Sequence, residues 1–66
     1  MTIKILCRSF GFFIVSQKGS HVKLRKEMSG KIITTIVPVH SELARGTLKG
    51  VLQLAEVDEK EFSEKI

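Results

Sequence analysis

Apolar residues change their spacing twice along the chain, and each change marks a different kind of element. Residues 2–9 (TIKILCRS) place Ile3, Leu6 and Cys7 near one side of a short helix. Its brevity and its β-branched residues mean that it needs tertiary support, and Gly11 offers a C-terminal stop. Phe12 to Lys18 is rich in Phe, Ile and Val, as a strand requires, and Gly19-Ser20 lets the chain reverse. From His21 to Lys26 the residues alternate, with His21, Lys23 and Arg25 on one face and Val22 and Leu24 on the other. Ser29-Gly30 makes a second turn into Lys31–Val37 (KIITTIV), the strongest strand signal in the chain, which Pro38 ends because it lacks a ladder donor.

A helical period then returns. Leu48, Val51, Leu52 and Ala55 follow the i, i+3, i+4, i+7 spacing, with Thr47 as the cap or, for an earlier start that takes Gly46 into the helix, Ser41. Asp58 with Glu61 fits the capping pattern of a short terminal helix whose Phe62 turns back to the core. The order is therefore α-β-β-β-α, an α+β fold. Two hairpins form a three-stranded antiparallel sheet, both helices lie on one face, and the other face carries His21, Lys23 and Arg25.

Composition changes this picture in three ways. At 66 residues the chain is expected to form one domain over residues 1–66, with a thin core resting on Ile, Val and Leu because there are four Phe, no Trp and no Tyr. Cys7 is the only cysteine, so no intrachain disulfide forms, and a structural thiol is its expected role. No apolar run approaches the roughly 20 residues that span a bilayer. The N-terminal apolar stretch is broken by Lys4 and Arg8 and lacks a small-residue cleavage site, so neither signal peptide nor membrane anchor is expected and a cytoplasmic location is.

Charge is uneven. Seven Lys and Arg stand in residues 1–31 against Glu27 alone, whereas residues 32–66 hold four against six carboxylates. A basic front half points to a polyanion met on one side, or to a solvated surface and nothing more.

The segment Gln17-Lys18-Gly19-Ser20-His21 concentrates the chemistry. Gly19 permits a tight turn, Ser20 adds a small donor, and His21 opens a strand whose outward side is basic. Imidazole exchanges protons near neutral pH. RNA cleavage without a metal needs a base for the 2′-hydroxyl and cations for the phosphorane, roles open to His21 and to Lys18, Lys23 and Arg25. A lone strand histidine is more often a surface or packing residue, and periodicity alone leaves that alternative standing. His40, after Val37-Pro38-Val39, is either a second acid/base group or a structural residue of the strand-to-helix junction, the latter being favoured. One cysteine and two separated histidines do not make a zinc site, so no metal and no cofactor is expected, and no glycine-rich nucleotide loop is present.

Taken together, Gly11-Phe12, Gln17-Lys18-Gly19-Ser20-His21, Val37-Pro38-Val39-His40 and Gly46-Thr47-Leu48-Lys49-Gly50-Val51-Leu52 resemble the HicA (YcfA-type) toxins over about residues 3–62. The resemblance implies a fold similar to double-stranded-RNA-binding domains. It implies an mRNA interferase of a type II toxin–antitoxin system, an endoribonuclease that inhibits translation. It places the catalytic histidine at His21, with Gly19 and Ser20 shaping the turn that presents it. It also implies a HicB-type antitoxin and an oligomeric toxin–antitoxin complex. Ser16 stands where many members have Arg or Lys, Val22 where some have a second histidine, and the first helix is short. Lys18, Ser20, Lys23 and Arg25, with Lys26 and Lys31 as further cations, are the expected RNA contacts. The alternatives are an RNA-binding module that does not cut, and a decayed toxin that retains only antitoxin binding.

Overall fold

A computed structural model describes residues 2–39 and 44–66. Its elements are α1 (Thr2–Ser9), β1 (Phe13–Lys18), β2 (His21–Met28), β3 (Lys31–Pro38), α2 (Arg45–Ala55) and α3 (Glu59–Glu64). The three strands form one antiparallel sheet in the order β1-β2-β3. This is the expected α-β-β-β-α order, with the short terminal helix as α3, and it agrees with a fold like that of double-stranded-RNA-binding domains.

One face of the sheet is covered. Val22 and Leu24 of β2 and Ile33, Thr35 and Val37 of β3 are buried against Leu6 of α1, Val51, Leu52 and Ala55 of α2, and Phe62 of α3. A fully buried Leu or Phe of this kind contributes about 1.5–3 kcal/mol. The Thr35 hydroxyl, also buried, donates a 2.9 Å hydrogen bond to the Val51 carbonyl and so fixes α2 along β3. Phe10 stacks on Phe62 with ring centroids 6.4 Å apart, tying the end of α1 to α3.

Local chemistry sets the element ends. Beyond Ser9 the Phe10 and Phe12 amides both donate to the Leu6 carbonyl, and the chain leaves α1 through Gly11 at φ +78°. Phe12 joins the core, so the first strand begins one residue later than its sequence suggests. Asp58 caps α3 by accepting from the Lys60 amide at 3.3 Å.

Thr47 does not cap α2. The helix starts at Arg45, Ala44 occupies the cap position without a side-chain bond, and the Leu48 amide donates to the Ala44 carbonyl at 2.9 Å. Gly46 thus lies inside the helix. Packing of Val51, Leu52 and Ala55 on the sheet outweighs the roughly 1 kcal/mol that glycine costs in a helix. Ser41, the other cap considered, lies outside the described residues. At the far end, Glu56 takes a left-handed φ of 55° and pairs with Lys31 at 2.8 Å. Both side chains are at least half exposed, so this bridge contributes at most about 1 kcal/mol.

Candidate functional site

The site grows from the β1–β2 turn. Lys18 pairs with His21, leaving Gly19-Ser20 as a two-residue hairpin loop. Gly19 has φ +59° and Ser20 does not have positive φ, as a loop with glycine at its first position requires. The Gln17 side-chain amide donates to the Gly19 carbonyl at 3.3 Å. On the other side of His21, β3 ends at Pro38, which has no amide donor. The Val39 amide replaces it, donating to the Ser20 carbonyl at 2.6 Å. The backbone around His21 is therefore held from both neighbouring strands, while its side chain is exposed.

Strand register arranges the open face in rows, since directly paired residues share a face. His21 lies between Lys18 and Pro38, Lys23 between Ser16 and Ile36, and Arg25 between Phe13 and Thr34. Successive rows are about 6.7 Å apart along β2. Glu27, opposite Ile32, ends the cationic series.

A concavity of about 360 Å³ is lined by Ser16, Lys18, His21, Lys23 and Ile36. It brings together three of the residues expected from the sequence. Arg25 lies beyond it, half-buried, with its Nε buried and without a hydrogen-bond partner. Ser20 is exposed at the turn tip. Ser16 and Ile36 were not expected, although counting outward from two two-residue hairpins places both beside Lys23.

Lys26 and Lys31 are corrected. Their parity turns them to the covered side. The Lys26 ammonium sits 5.8 Å from the centroid of the Phe12 ring, and Lys31 is engaged with Glu56. His40 lies outside the described residues. Cys7 is half-buried against the core, and burial raises its thiol pKa, so it is not an activated nucleophile. Among the described residues no three His, Cys, Asp or Glu side chains cluster as metal ligands, and no helix is long and apolar enough to cross a membrane.

An imidazole that faces solvent beside two lysines, on a floor of sheet, can exchange a proton with an anion held next to it. Comparison with known proteins matches the chain to the family described as HicA toxin of bacterial toxin–antitoxin, over residues 2–57. No curated protein and no solved structure matches the chain.

Proposed function

The chain belongs to the HicA toxin family, which implies an antitoxin partner, and from that premise we propose that it is a metal-independent endoribonuclease acting on messenger RNA. The observation that carries this reading is the exposed His21 in one concavity with Lys18 and Lys23. RNA lies along the open face with a phosphate at His21. The neutral imidazole removes the 2′-hydroxyl proton of the adjoining ribose. The 2′-oxygen then forms a bond to phosphorus and the bond to the 5′-oxygen breaks. The departing oxygen takes a proton from solvent and the imidazolium returns its own to solvent, leaving a 2′,3′-cyclic phosphate and a 5′-hydroxyl. Lys18 and Lys23 stabilise the extra negative charge of the phosphorane. Because the nucleophile belongs to the ribose, DNA is not a substrate.

Arg25 binds a phosphate further along the strand through the terminal nitrogens of its guanidinium. The toxin arrests translation by destroying message, and a HicB-type antitoxin neutralises it in an oligomeric complex.

The test is His21→Ala with purified protein and a defined transcript. Cleavage falls about 10²–10⁴-fold, the range for loss of a general base, while circular dichroism and RNA affinity are retained. Undiminished cleavage by the variant overturns the assignment. A wild-type chain that binds the transcript without cutting it is the non-catalytic binding module instead.

A further inference from the structure

The segment Gly46-Thr47-Leu48-Lys49-Gly50 carries part of the family resemblance yet has no task in the cleavage scheme. It forms the start of α2, where Thr47 and Gly50 line a second groove of about 650 Å³ that runs from His21 over the β3 edge. Ile36, Gln53 and Leu54 line it as well. His21 is thus the wall between two concavities of different character. The β1 side presents Lys18 and Lys23, whereas no charged side chain lines the α2 side among the described residues.

We propose that the neutral groove is a nucleobase subsite, taking the base of the nucleotide whose phosphate lies at His21. This rests on the reading of His21 as the cleavage centre and adds how the RNA is selected. Apolar surface is available for a flat ring, because Ile36 and Leu54 are 44% and 58% exposed. Thr47 and Gln53 supply what an apolar slot lacks. A hydroxyl and a carboxamide each offer both donor and acceptor, the complement of a base edge. Among the described residues lining this groove, a phosphate would instead find no Lys or Arg.

Gly50 is the most informative position. A Cβ built on it meets nothing within 4 Å, and its backbone φ is ordinary, so neither packing nor conformation requires glycine. Alanine there would be the better helix former. A costly glycine facing open space in the lining of a groove is accounted for when a ligand occupies that space. The Thr35–Val51 hydrogen bond, one residue along α2, holds the groove walls at fixed spacing.

The experiment is an NMR titration of the wild-type chain with the four nucleoside 3′-monophosphates and with ribose 5-phosphate, which has no base. Ribose 5-phosphate shifts resonances around Lys18, His21 and Lys23 only. Each nucleotide also shifts the Thr47 and Gly50 backbone amides and the Gln53 side-chain amide, and the bases differ about fivefold or more in affinity. Gly50→Leu fills the groove and weakens nucleotide binding about tenfold, towards that of ribose 5-phosphate, by displacing the buried ring. Gly50→Ala, which favours the helix, keeps the test open where leucine disturbs folding. Gln53→Ala flattens the order among the bases. Equal affinities for all four nucleotides, with the α2 resonances unmoved, overturn the subsite. Since binding is read here and not scission, that result leaves the His21→Ala outcome untouched, and undiminished cleavage in His21→Ala leaves a base-dependent α2 response untouched.

Discussion

On β2 the inward residues Val22 and Leu24 are buried to 3% and 0% exposure, while their outward neighbours His21 and Lys23 stand in solvent. The inward pair is enclosed by strands on both sides and by the helices above. The outward pair stands exposed beside its row neighbours on β1 and β3. One alternating strand therefore serves two ends. Its inner half supplies packing that the fold cannot spare, and its outer half supplies a surface that the fold does not depend on. In a chain this short the division is sharp, because few other side chains share the load.

The largest expected effect on stability is on the inner side. Leu24→Ala removes a fully buried side chain from the central strand and is expected to cost about 2–5 kcal/mol. Small domains have only about 5–15 kcal/mol in all, so urea denaturation would show a greatly reduced midpoint or no folded baseline. A loss below about 1 kcal/mol would mean that the inner face is not the fold's main support.

A smaller effect is expected where the covered face meets α2. Thr35→Val keeps the shape but removes the hydrogen bond to the Val51 carbonyl, which retains its place in the helix. The expected loss is about 0.5–1.5 kcal/mol, measured by the same denaturation. Because this bond sets α2 against β3, it also sharpens the link between the two faces. The base-dependent shifts at Gly50 should weaken in this variant, whereas those around Lys18 should not. A stabilised Thr35→Val protein with an unchanged groove would show that apolar packing alone places the helix.

Much of this arrangement was legible in the sequence, for identifiable reasons. Alternation from His21 onward assigned residues to faces, and two-residue turns at Gly19-Ser20 and Ser29-Gly30 set the register. Other features were not legible. Of the two starts open for α2, the earlier one that takes in Gly46 agrees with the structure, and Thr47 was a false signal because no side chain caps the helix. The covered-side placement of Lys26 and Lys31, by contrast, follows from the same alternation and from the Ser29-Gly30 turn, which sets Lys31 opposite Met28. The register shift between Ile14 and Ser16 has no marker in the sequence, yet it is what brings Phe13 opposite Arg25. β1 is rich in apolar residues, but as an edge strand it leaves Phe13, Ile14 and Val15 at 40–58% exposure. The groove beside α2 depends on packing between elements that are distant in sequence, so no local pattern reveals it.

The smallest expected effect on stability is on the outer side, and it completes the comparison with Leu24. Lys23→Gln changes the adjoining residue of the same strand, in the middle row between Ser16 and Ile36. Its stability should stay within about 0.5 kcal/mol of wild type, as for surface substitutions in general. Its RNA binding should weaken in a particular way. A lysine that neutralises one phosphate of a single strand contributes about 0.7 to the slope of log affinity against log salt. Titrations at several salt concentrations should therefore show the slope magnitude falling by about that amount in the variant. An unchanged slope would place the RNA backbone elsewhere than along β2. A stability loss above about 1 kcal/mol would mean that the outer row supports the fold too, and that the separation between the two faces of β2 does not hold.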